Sequence, residues 1–367
     1  MSTSFPLDFH YDFSPALVLR DSDFGHKLDL MRRAGLASGG STVWLTGFFY
    51  GRWESTPEEI AAARARLESE GFRVEALSIP LGHGSQALDP SKPPETETGE
   101  GWQPRVDANG APWPNTSCPR HGKVLADSRA AAEILHEIGF TRVFYDDDLR
   151  VGTWGSAVQG CFCEDCLAAF RKEYPPYDGF SRAAIAGGPS AGDVALTEAW
   201  ETFQSDSILQ FLEKTSPEGL IPCPMIMHNG DRRHGLDVRR IAERFPDAYI
   251  RVGEGHFSDD SFLHPDGKVA LTTSIRRHLW EMGSNRNAFS ETTTYPIGAL
   301  SPANMVEKIR LEIDCGLRHI FLMSGTCFLP DEYWETIAAA LPELYDRAAS
   351  TPLPDFTRPV PEPIWHL

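Results

Sequence analysis

The sequence predicts an α/β protein built as a single (β/α)8 TIM barrel. Three observations carry that expectation: eight short β-branched or aromatic runs, amphipathic helical stretches between them, and no Gly-rich phosphate loop after the first run. Such alternation implies parallel strands joined by right-handed crossovers, closed as a barrel or open as a doubly wound sheet. Eight repeats in roughly 350 residues match the barrel.

The expected strands are, in order, Ala16–Arg20, Thr42–Phe48, Arg73–Ile79, Arg142–Asp146, Pro224–His228, Tyr249–Gly253, Asn287–Ser290 and His319–Met323. Between them Pro57–Glu70 reads as a helix, with Pro in its first turn and Gly71 at its end. Asp127–Ile138, Leu236–Phe245, Lys268–Met282, Pro302–Asp314 and Asp331–Ala349 carry the same period. Two connections exceed ordinary barrel loops: about 82–123, rich in Pro, Gly and Trp, and about 149–197. Both leave the C-terminal face, where barrel enzymes carry their chemistry. Residues 1–350 are thus expected to form one domain, and 351–367, with five prolines, an extended tail.

Composition sets the class. The 367 residues carry 34 Lys+Arg against 52 Asp+Glu, a net charge of −18, with 41% hydrophobic and 23% charged residues, which is globular. The acidic balance argues against nucleic acid and anionic membrane surfaces, which need clustered Lys and Arg. The N-terminus lacks a basic segment followed by an apolar one, and no run approaches the roughly 18 apolar residues of a membrane helix, so a cytoplasmic address is expected. The seven cysteines then read as thiols or metal ligands, not as a disulfide framework. Oligomeric state is left open, a homo-oligomer included.

The most specific local signal is Cys161-Phe162-Cys163-Glu164-Asp165-Cys166. Its C-x-C-x2-C spacing sets three thiolates in one tight turn opening a helix, which suits structural zinc with four ligands. The fourth is expected to be Cys118, in the other long loop, with His121 in reserve. Such a site clips the two insertions together. Cys223, Cys315 and Cys327 are isolated and read as core.

Carboxylates gather at the strand ends. The fourth strand runs into Asp146-Asp147-Asp148, where three adjacent charges repel one another; alternation places Asp146 and Asp148 on one side, with Arg150 close by. The seventh runs into Glu291, followed by Thr292–Thr294 and Tyr295, hydroxyls suited to hold a nucleophile or base. Glu254 and His256 follow the sixth strand, with Gly253 and Gly255 flanking Glu254. His228, Asn229 and Asp231 follow the fifth strand, and Asp21 the first. Phe48, Phe49, Tyr50 and Trp53 follow the second strand, and Trp102, Trp113 and Trp154 lie in the long loops. Carboxylates, His, Asn and aromatic faces on one rim are the equipment of a site for sugar hydroxyls and sugar rings.

The cysteine cluster and its barrel position resemble the catalytic barrel of family 42 glycoside hydrolases, the zinc-containing β-galactosidases. That family builds its zinc site from one Cys after strand 3 and a C-x-C-x2-C cluster after strand 4, matched here by Cys118 and Cys161, Cys163 and Cys166. The resemblance covers about residues 16–349, as architecture outside the zinc cluster. It implies an acid/base carboxyl after strand 4 and a nucleophile after strand 7, the latter matched by Glu291. Where the family shows Asn-Glu, this chain has Asp146-Asp147-Asp148, and the family's further C-terminal domains have no counterpart.

The expectation is therefore a glycosidase acting on a small carbohydrate or glycoside. Asp148, furthest toward the rim, is its acid/base, Asp147 or Asp146 the modulator, and Glu291 the nucleophile or, with a wider carboxyl gap, the base that activates water. Asp21, Asp146, Arg150, His228, Asn229, Glu254, His256, Trp53 and Tyr295 are the expected substrate contacts. Two other classes fit the same residues. One is a metal-dependent sugar isomerase, epimerase or aldolase, with Asp146–Asp148, Asp231, Glu254, His228 and His256 around a divalent ion. The other is a non-catalytic sugar-binding barrel. Arg232 and Arg233 keep a carboxylated sugar open.

Overall fold

The computed structural model describes residues 7–37, 41–82, 98–113, 115–146, 149–151, 158–187, 193–323 and 328–360. Eight parallel strands form a nearly closed barrel: β1 (Asp8–Phe13), β2 (Thr42–Phe49), β3 (Arg73–Ile79), β4 (Arg142–Tyr145), β5 (Ile221–Pro224), β6 (Ile250–Arg251), β7 (Ala288–Phe289) and β8 (His319–Met323). Neighbours run in the order β5-β4-β3-β2-β1-β8-β7-β6. Helices α1 (Phe24–Arg33), α2 (Pro57–Ser69), α3 (Gly122–Ile138), α4 (Val194–Thr215), α5 (Val238–Arg244), α6 (Gly267–Met282), α7 (Pro302–Asp314) and α8 (Asp331–Ser350) complete the units. The signals that start them are local: Pro57 opens α2 behind a reciprocal Thr56–Glu59 capping box. Among the described residues no helix is long and apolar enough to cross a membrane.

Two strands differ from expectation. Ala16–Arg20 lies within a short helix, Pro15–Arg20, because Ser14 caps it by accepting from Leu17 N–H and Pro15 occupies its first turn. The first strand is the preceding Asp8–Phe13, whose alternate side chains His10 and Asp12 turn inward. The fifth strand ends at Pro224, not His228.

That strand also explains the barrel's seam. Ile221 N–H donates to the Thr141 carbonyl just before β4 and Met225 N–H to that of Tyr145, so Pro222 and Pro224 take the positions that would donate to β6. Proline has no N–H to give, and the β5–β6 seam is reduced to a bridge at Met225 and Arg251, with Ile226 N–H donating to Arg251 O at 2.9 Å.

The interior is layered. At the N-terminal end, Asp8 pairs with Arg73, and Arg142 lies over the Tyr249 ring. Above these, Trp44, Phe144, Phe289 and Phe321 pack ring against ring, with His10 stacked on Phe289. His10 belongs to a relay whose tautomers follow from its ends. Trp44 Nε1–H only donates, here to His10 Nδ1 at 3.2 Å. The Arg286 carbonyl only accepts, here from His319 Nε2–H at 3.0 Å. His10 Nε2–H then donates to His319 Nδ1 at 3.2 Å, which leaves His10 neutral. Beyond the barrel, residues 351–360 carry no helix or strand; Phe356 packs on the core and Pro354 lies against Gly316.

Burial, and then the neighbouring His319 ring, lower the His10 pKa from 6.5 to about 3. Below pH 6.5 the unfolded chain takes up a proton that folded His10 refuses. The stability contributed by this group is therefore complete above that pH and is lost as pH falls toward 3. His10→Gln removes the titration, so the stability gap between wild type and variant should narrow from pH 6.5 to pH 4. Denaturation at both values reads it, and a constant gap would contradict a neutral buried His10.

Candidate functional site

Arg251 is the last residue of β6, and its side chain rises into the barrel above the aromatic layer. It is 2% exposed, and its guanidinium lies over the Phe144 ring at 5.0 Å. Nη2 is 2.6 Å from Asp146 Oδ1, at the end of β4, and 3.3 Å from Glu291 Oε2, just past β7. Burial opposes the charge on Arg251, yet Asp146, Glu291 and Glu254 together hold it more firmly protonated than an ordinary arginine. A third buried carboxyl, Asp12 of β1, stands within the field of Asp146 and Arg251. Burial and the Asp146 charge push its pKa well above the usual carboxylate range, against the pull of Arg251.

Behind Glu291 lies a polar network with no exposed member. Lys308 of α7 donates from Nζ to the backbone carbonyls of Glu291 at 2.7 Å and Gly255 at 2.8 Å, tying together the segments after β7 and β6. Glu312, one turn on, accepts from Thr292 Oγ1 at 2.6 Å, and Thr292 meets Ser290 Oγ at 2.7 Å. Burial lowers the Lys308 pKa and raises that of Glu312 to about 7. The hydroxyls after Glu291 were expected to hold its carboxylate. Those of Thr292 and Thr293 instead donate to Glu312 and the Met323 carbonyl, so they lock the strand end that presents it.

The other expected residues fall into place unevenly. Asp147, Asp148, Trp154 and Cys327 lie outside the described residues. Asp21 is exposed at the C-terminal end of the Pro15–Arg20 helix, not at the end of a strand, and its Oδ1 accepts from Asp23 N–H at 2.7 Å. Arg150 is buried, with Nη1 at 3.0 Å from Met227 Sδ, while Asp146 pairs with Arg251. His228 is half-buried; burial, then the His256 charge, lower its pKa to about 4. The His228 and His256 rings meet edge-on at 5.3 Å, and Glu254 accepts from His228 N–H. Asn229 sits at φ +54° with Oδ1 buried and without a hydrogen-bond partner among the described residues. Tyr295 is half-buried, its N–H bound to the Phe257 carbonyl. Trp53 packs edge-on against Phe48 from a short hairpin strand. Phe48, Phe49 and Tyr50 are core residues, as is Trp102, which spends its N–H on Asp127.

Among the described residues, two groups bring three or more ligand atoms within reach of one ion. One is Asp8, His10 and His319, whose ring nitrogens the relay already occupies. The other is Cys118, Cys161, Cys163 and Cys166, all buried, with sulfurs within 4.8 Å of one another. Asp146, Asp231, His228, Glu254 and His256 form no such group among them.

The four cysteines sit in a second, smaller core formed by the two insertions and the start of α4, with Phe162, Leu167, Phe170, Trp200 and Phe203. Cys163 caps the Glu164–Glu173 helix. Phe162 N–H donates to Val106 O, which sets the two loops side by side, and Cys118 N–H donates to Gln103 O within the first loop. Cys118 Sγ is 3.5 Å from Cys166 Sγ and 3.8 Å from Cys163 Sγ. Four sulfurs at about 2.3 Å from a tetrahedral zinc stand about 3.8 Å apart, whereas a disulfide needs about 2.05 Å. The group fits a metal ion.

Compared with known proteins, the chain matches no family model, and no curated protein is significantly similar to it.

Sequence reasoning missed Asp12, Arg251, Lys308 and Glu312. The signals were present: polar residues at alternate positions of DFHYDF, an Arg within an apolar strand, and Lys and Glu four apart on the inward face of α7. Removing Arg251 leaves two carboxylates buried without their cation. Arg251→Met should lose about 3–5 kcal/mol in urea denaturation. Adding Asp146→Asn and Glu291→Gln to that variant should recover most of the loss.

Proposed function

We propose that this chain is a glycoside hydrolase in which Glu291 is the nucleophile and a carboxyl after β4 is the general acid/base. The observation that carries the reading is the meeting of Glu291 and Asp146 on one nitrogen of Arg251. Glycosidic cleavage requires two carboxyl groups flanking one bond, and the ends of β4 and β7 are drawn together here. With Asp146 committed to Arg251, the acid/base role falls to Asp148, with Asp147 as its neighbour. Close approach of the two strand ends favours the roughly 5–5.5 Å separation of retaining enzymes over the roughly 6.5–9.5 Å of inverting ones.

On this reading Glu291 attacks the anomeric carbon while the β4 carboxyl gives its proton to the leaving oxygen. The same carboxyl then takes a proton from water, whose oxygen displaces Glu291 and releases the sugar. Arg251 faces Glu291 throughout, and Lys308 and the threonine hydroxyls keep the strand end from shifting. His228, Asn229, Glu254, His256, Trp53 and Tyr295 remain the proposed sugar contacts. The substrate is a small carbohydrate or glycoside, and the resemblance to family 42 supports the same reaction.

The metal proposed for the cysteine group is zinc. Four thiolates leave no open position, so its role is structural: it orders two loops that share only a small core.

A screen of aryl glycosides tests the activity. Wild type should turn over at least one of them, and Glu291→Gln should lower kcat by roughly three orders of magnitude or more, the scale of losing an essential nucleophile. Equal turnover by both would remove the assignment. Elemental analysis of protein purified without chelator should find one zinc per chain, and Cys163→Ser should lose it together with thermal stability.

A further inference from the structure

Two polar atoms on the inner wall of the barrel have no partner among the described residues. Asp12 is 7% exposed and Thr46 1%, and both Asp12 Oδ1 and Thr46 Oγ1 are buried without a hydrogen bond. They sit on adjacent strands. The β1–β2 register sets Asp12 beside Trp44, and Thr46 is the next inward position along β2. His10 and Trp44, on the same faces, pack into the aromatic layer, so Asp12 and Thr46 stand above it, toward the C-terminal end.

Buried polar groups are almost always paired, and neighbouring exceptions mark a place where something else completes them. Among the described residues no hydrogen-bonding group reaches either atom. Arg251, the nearby cation, is shared between Asp146 and Glu291. Thr46 offers one donor and acceptor sites, as does a protonated carboxyl.

We propose that Asp12 and Thr46 contact the substrate directly and receive the hydroxyl groups of an uncharged sugar ring against the β1–β2 wall. Asp12 acts there as a neutral acid that donates to a ligand oxygen and accepts from a ligand hydroxyl. Arg251, Asp146 and Glu291 are already paired with one another, so none of them offers itself as a counter-ion to a carboxylated or ammonium sugar at this wall. The inference deepens the glycosidase reading by naming its substrate class, and takes the sugar itself from that reading.

Thermal-shift titration of the full chain with galactose, glucose, mannose, xylose, galacturonate and glucosamine tests it. At least one neutral sugar should raise the melting temperature of wild type, and the two charged sugars should not. Asp12→Ala and Thr46→Val should each weaken that neutral sugar about tenfold or more. Asp12→Asn, which still donates, should stay within about threefold of wild type. Thr46→Val and Asp12→Asn are close in shape, and neither Asp12 Oδ1 nor Thr46 Oγ1 has a hydrogen bond to lose among the described residues, so both should melt near wild type without sugar. Unchanged affinity in Asp12→Ala and Thr46→Val would overturn the proposal and leave an ordered water as the partner. Tighter binding of galacturonate or glucosamine, or no binding of any neutral sugar, would overturn it as well. Turnover of aryl glycosides is scored separately. Sugar binding through Asp12 without turnover keeps this inference and removes the glycosidase reading, whereas turnover with Asp12→Ala unchanged in KM does the reverse.

Discussion

Arg251 places a full positive charge inside the barrel, out of reach of solvent, and carboxyl groups from β1, β4 and the end of β7 gather around it. A buried charge is tolerable only where opposite charge and hydrogen bonds replace its water. Here one cation cannot neutralise three carboxyl groups. Two of them take its nitrogen, and burial, with the Asp146 charge, pushes the third, Asp12, toward its neutral form. The same residue closes the barrel through its backbone, because Pro222 and Pro224 leave the β5–β6 seam without other donors to β6. The weakest seam of the sheet and the centre of the site therefore share a residue, so disturbing one disturbs the other.

Around that centre the molecule separates rigidity from access. The aromatic layer of Trp44, Phe144, Phe289 and Phe321 supports it from below, and the Lys308–Glu312 network braces Glu291 from behind. Replacing a buried ion pair with apolar side chains is often neutral for stability, so a pair kept here is better explained by what it positions. The two insertions cannot rely on the barrel core in the same way. Their own cluster of cysteines and aromatics is small, and four thiolates around one ion would supply the order that it lacks.

Periodicity made most of this architecture legible. β3 and β8 lie where alternation and β-branched content put them, and α7 starts at Pro302 and ends at Asp314 as its pattern indicates. The first strand was hidden because Ala16–Arg20 is as apolar as a strand, while the Ser14–Pro15 pair that turns it into a helix is a two-residue signal. In the true β1, polar side chains face inward, which inverts the usual pattern of a buried strand. The cysteine cluster was legible because its spacing is short and chemical. Glu291 was legible as a lone carboxylate after an apolar strand. Arg251 was not, since an arginine inside an apolar strand reads as an edge residue until its partners from distant strands are seen.

In the proposed reaction Glu291 is the group that attacks the sugar. An activated 2-deoxy-2-fluoro glycoside, of the sugar that the aryl glycoside screen selects, would slow release of the proposed glycosyl-enzyme, and peptide mass spectrometry would then locate the bond. The account predicts a single label on Glu291, absent from Glu291→Gln. A label on Asp146 or any other carboxylate, or turnover with no label at all, would contradict it.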